Sequence, residues 1–174
     1  SEPADRRGRQ ALALERNDPW AGHAVAHVME MQDGREEGIA WIGAYEPDWN
    51  ACNNFRYHLW WHRALMHLAL EQYAEVIALY DTAVFDPQSE DYLDLCNDIS
   101  LLARLEMAGV AVGDRWEKLY DKVERQRAGR VLPFIDAHYL IAIAATRGFA
   151  SAEAMLEGLR AHAAHGQGTR ARVT

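Results

Sequence analysis

The chain is predicted to be all-α, a tetratricopeptide-like α-solenoid of antiparallel helix pairs. Apolar residues recur three and four apart almost throughout, with no convincing two-residue alternation. Turn signals break this pattern at Asp33-Gly34, Glu71-Gln72, Gly109 to Gly113 and Gly148. Long first helices are expected to begin near 19, 51, 90 and 133, each followed by a turn and a second helix. A period of roughly 32 to 43 residues built this way is the mark of a helical repeat array. Such a unit cannot bury its apolar face alone, so neighbours must stack. Residues 1–174 read as a single repeat segment, expected to belong to a longer array.

GRQALALERND reads as the second helix of an earlier repeat. Asp18-Pro19 is a cap followed by proline at the first helical position, and the helix it opens runs through Met31 to Asp33-Gly34. REEGIAWIGAY, residues 35 to 45, forms the next helix, ended by Pro47. Asn50 caps a third that carries LWWHRALMHLAL. YAEVIALYDTAVF follows as a fourth and ends before Pro87. Ser89 caps a fifth that reaches Met107. Residues 114 to 128 form a sixth, strongly charged helix, whose run DKVERQRAGR reads as a solvated face. Pro133 opens a seventh to Arg147, and Ser151 starts an eighth.

With 174 residues, 49% of them hydrophobic, the chain can bury a core. Its formal charge of −8 argues against nucleic acid or an anionic membrane as main partner, since both need clustered Lys and Arg. No apolar run is long enough to span a bilayer. Cys52 and Cys96 form no CxxC motif and no disulfide framework, so both read as structural thiols and the expected location is cytoplasmic.

The eight histidines carry the functional signal. His23/His27 and His58/His62 are each four apart, and chance would give about 0.4 such pairs. Counted back from its turn, each first helix places a His or Asp at a similar height: His23, His58, Asp98 and His138. Two imidazoles at i and i+4 share a helix face and can bind one metal. The candidate metal ligands are therefore His23, His27, His58, His62, Asp98 and His138, for a divalent ion such as zinc or iron. The same set could work without metal, with His58, His62 and His138 as acid or base and Asp136 orienting them. Against this stands the bland reading of a packed, hydrogen-bonded core histidine. Trp60 and Trp61 read as core or pocket wall, and His67 as a packing residue. His162 and His165 sit in a polar tail expected to be exposed.

The segments DPWAGHAVAHVMEM with EEGIAWI, then HLWWHRALMHL, ALYD, SLLARLEMAGVAVGDRW and PFIDAH, together resemble the tetratricopeptide repeat protein 38 family and its bacterial relatives. They stand in the family's order and span nearly the whole chain; HxxWHxALxHL is the specific motif. The resemblance implies an all-helical repeat fold and no known reaction. Its motif positions here are His23, His27, His58, His62, Asp98, Arg104, Asp136 and His138. Ala103, Arg63 and Leu70 depart from the pattern, leaving the polar set intact. Two functions follow. One is a small-molecule site in a concave groove lined by His and Asp, metal-dependent or acid/base, with Trp60, Trp61 and Arg104 contacting the ligand. The other is a scaffold gripping a peptide or protein through Asn53, Asn54, Arg56, Arg63 and Arg104. Self-association is expected of an array with uncovered ends.

Overall fold

A computed structural model describes residues 2–129 and 132–164, and every regular element among them is helical. In order these are α1 (Glu2–Leu14), α2 (Pro19–Met31), α3 (Arg35–Trp49), α4 (Phe55–Ala69), α5 (Tyr73–Leu79) with a π turn at Tyr80–Val84, α6 (Tyr92–Met107), α7 (Arg115–Gln126), α8 (Pro133–Ala145) and α9 (Phe149–Ala164). No described helix is long and apolar enough to cross a membrane.

Asp18 caps α2 as its sequence predicts, accepting from the Trp20 and Ala21 amides at 3.0 and 3.2 Å. Other boundaries move, each for a visible reason. Pro47 does not end α3. Trp49 is buried in the core and donates its indole N–H to the Ile42 carbonyl at 3.3 Å, which holds the last turn past the proline. Asn50 does not cap α4, because its side-chain oxygen accepts from the Trp60 indole at 3.0 Å; α4 starts at Phe55 instead. The helix expected to reach Phe85 widens at Tyr80, where the Phe85 amide bonds the Tyr80 carbonyl five residues back. Asp91, not Ser89, caps α6 by accepting from the Leu93 amide, while Ser89 donates to Asp94 at 2.6 Å. The run DKVERQRAGR is only partly solvated. Lys122 is buried and donates to the Ser89 carbonyl at 2.6 Å, and Val123 lies in the core; Arg130 lies outside the described residues.

The first helix of each pair ends in the same way. Asp33, Glu71, Gly109 and Arg147 all have positive φ, at 63°, 58°, 80° and 57°, and stand 38 residues apart. The next amide then bonds a carbonyl five residues earlier: Gly34 to Met29, Gln72 to His67, Val110 to Leu105, Gly148 to Ile143. This is the Schellman stop, repeated four times on one register. Pro19 and Pro133 obey the same register, three periods apart.

The chain divides into two compact units, Ser1–Asp86 and Pro87–Thr174. In the first, each helix from α1 to α5 packs on the next, and α2 also packs on α4. Val25, Ala26, Ile42, Leu59, Ala64 and Val76 form its core. In the second, α6 packs on α7 and α8, α7 on α8, and α8 on α9. Ile99, Leu101, Leu102, Leu105, Leu119 and Ile143 form that core.

Candidate metal centre

The α2–α4 contact in the first unit decides where the histidines meet. His23, His27 and Glu30 lie at i, i+4 and i+7 along α2, hence on one face. His58 and His62 lie at i and i+4 on α4. Packing brings the two faces together, so that His23, His27, His58 and His62 each offer a donor atom within 4.8 Å of the others. Three are closer still. The Nε2 atoms of His23 and His62 are 3.0 Å apart, those of His23 and His58 3.0 Å, and those of His58 and His62 3.2 Å.

This triangle cannot be satisfied by hydrogen bonds alone. A neutral imidazole nitrogen is either a donor or an acceptor. With three of them mutually in contact, at least one pair must face N–H to N–H or lone pair to lone pair. A cation facing three lone pairs removes the conflict. With metal–nitrogen bonds near 2.0–2.1 Å, adjacent donors would stand about 2.9 Å apart in an octahedron and about 3.3–3.4 Å apart in a tetrahedron. The observed edges fall between these values.

The electrostatics suit neutral donors. Burial, reinforced by His62, His27 and His58, pushes the His23 pKa down to about 3. Burial and then His62 also lower His27, with Glu30 opposing. Glu30 fixes the tautomer of His62. Its Oε2 lies 3.2 Å from His62 Nδ1, so Nδ1–H donates to the carboxylate and Nε2 is left bare toward the cluster. The same oxygen is 3.9 Å from His27 Nδ1.

Each edge of the Nε2 triangle is flanked by a ring. His27 lies against His23 and His62, with centroids at 4.3 and 4.4 Å. Phe55, itself stacked under Trp20 at 4.1 Å, lies against His23 and His58 at 5.1 and 5.6 Å. Trp61 stacks on His58 at 5.2 Å and meets His62 edge-on at 5.1 Å. His62 is enclosed, His23 and His58 are half-buried, and His27 is exposed.

Trp60 is a core residue, edge-on to Trp49. Asp98, Asp136, Arg104 and His138 belong to the second unit. Asp98 and Asp136 are buried there, Arg104 donates to the Ser100 carbonyl at 2.9 Å, and His138 Nδ1 donates to the Phe134 carbonyl at 2.7 Å. Nor do the first helices hold their polar residues level. Counted back from the positive-φ residue, His23 stands ten residues ahead, His58 thirteen, Asp98 eleven and His138 nine. That spread is about 6 Å of helix. His67 is not simply packed, since its Nδ1 donates to Gln72 Oε1 at 2.6 Å. His162 is half-buried rather than exposed, and His165 lies outside the described residues. Burial raises both thiols, that of Cys96 to about 12, as inert structural cysteines require. Glu30 is the residue the sequence reading missed; its place three after His27 was the available signal.

No family model matches the chain, and no solved structure matches it.

Proposed function

We propose that the first unit is a binding centre for a divalent transition metal, held by His23, His58 and His62 with Glu30 behind His62, and that the chain works as a metal-dependent small-molecule site. The observation that carries this is the Nε2 triangle with edges of 3.0, 3.0 and 3.2 Å. Imidazole donors suit zinc, iron, copper or nickel and disfavour magnesium or calcium. We also infer that the helix pairs stack as a tetratricopeptide-like solenoid akin to the tetratricopeptide repeat protein 38 family; the Schellman stops recurring every 38 residues support this. Asp98, Asp136 and His138 are not assigned to the metal. The peptide-scaffold reading gains less support, because Arg56 and Arg104 already spend N–H groups on Tyr57 Oη and the Ser100 carbonyl.

The test is a titration of metal-free, untagged protein with zinc against a competing chelator dye. One equivalent is expected to bind tightly. His58→Gln and His23→Gln should each weaken binding more than about 100-fold, beyond what loss of an outer partner causes, with helicity unchanged by circular dichroism. Zinc affinity that is absent, or unmoved by both variants, would sink the proposal.

A further inference from the structure

We infer that the metal is held by three histidines, and that the fourth, His27, stands beside an open coordination position and hydrogen-bonds the ligand that fills it. The inference rests on the metal-site reading above. It assigns the site a ligand class: a small oxygen or nitrogen donor, water at rest and an anion such as a carboxylate when occupied.

The distances separate His27 from the other three. Those three span 3.0 to 3.2 Å, so the wider separations within the 4.8 Å set fall on His27. A fourth tetrahedral donor would need to lie about 3.3–3.4 Å from each of the others. Exposure separates it as well: the side chain of His62 is 1% exposed and that of His27 48%. A closed structural site surrounds its ion with four donors, whereas a reactive one keeps a place for an outside ligand.

The flanking rings indicate where that ligand enters. Phe55 covers the His23–His58 edge and has no donor atom. Trp61 covers the His58–His62 edge, and its indole N–H cannot ligate. The His23–His62 edge is flanked by an imidazole, that of His27. A ligand reaching the metal on this side meets an imidazole placed to share a hydrogen bond. Its apolar body, if it has one, finds Phe55 and Trp61 on the other two sides.

Cobalt(II) in place of zinc reports coordination through its visible absorption, and azide and acetohydroxamate serve as probe ligands. In wild type both probes should change the cobalt spectrum saturably. His27→Ala should keep cobalt affinity within about threefold of wild type, while His58→Gln loses it. Azide should bind His27→Ala about five- to tenfold more weakly, the worth of one hydrogen bond. Equal loss of cobalt in His27→Ala and His58→Gln would show a closed four-histidine site and overturn the inference, as would a spectrum that ignores both probes. Azide affinity untouched by His27→Ala would remove the role given to His27. A wild-type protein that takes up no cobalt or zinc would instead defeat the metal reading itself.

Discussion

Glu30 decides which nitrogen His62 presents, because a carboxylate on Nδ1–H leaves Nε2 free for a metal. Glu30→Gln keeps the shape and removes the charge; metal affinity should fall about 10- to 100-fold, measured by chelator competition, with circular dichroism unchanged. His23 yields a pH prediction for the metal-free protein. Its folded pKa is about 3 against an ordinary 6.5, so below 6.5 the unfolded chain binds the proton that the folded chain refuses. Stability should therefore fall with pH from about 6.5 toward 3. His23→Asn should flatten that slope in urea melts, and an unchanged slope would contradict the assignment. The four histidines were legible in sequence because i and i+4 spacing fixes a shared face whatever else packs nearby. Their carboxylate was not. The sequence reading named Asp98 and Asp136 and passed over Glu30, which the α2–α4 contact brings to His62.

At the element scale the four Schellman stops and the starts at Pro19, Arg35, Tyr73 and Pro133 were legible, while the caps at Asn50 and Ser89 and the stop at Pro47 were not. Stops depend on local backbone geometry, and all four turn signals fall at the Schellman positions. The missed boundaries depend on competition for side chains and on tertiary anchoring. Asn50 and Ser89 are good caps by type, but the Trp60 indole and the Asp94 carboxylate claim them first. Pro47 likewise yields to the anchoring of Trp49. Glu71 holds φ at 58°, a conformation glycine adopts without a Cβ penalty. Glu71→Gly should stabilise the protein by about 1 kcal/mol in chemical denaturation. Gly8→Ala should do the reverse. A Cβ there would meet Val25 Cγ2 at 2.6 Å and the Ala21 carbonyl at 3.1 Å, and a β-branched core residue has little freedom to move. A loss of roughly 1–2 kcal/mol is expected after the gain in helix propensity is deducted.

At the scale of the whole molecule, a metal that binds only the folded first unit should stabilise it by about 2.7 kcal/mol at a hundredfold excess over Kd. Hydrogen exchange should then slow in α2 and α4 on adding zinc, while α6 and α8 keep their rates; uniform protection would argue against a site confined to one unit. The 38-residue register carries one more consequence. Shifted by 38, Trp20 falls on His58 and His23 on Trp61, so the two helices hold the same two residue types in exchanged places. On the repeat reading proposed above, the centre is a heterotypic junction, made where one kind of repeat meets another. Copying either repeat alone would lengthen the chain and yield no second centre, since two copies of His58 and His62 lack a His23 to complete them. Metal stoichiometry should thus count Trp-first to His-first junctions and stay indifferent to the number of repeats.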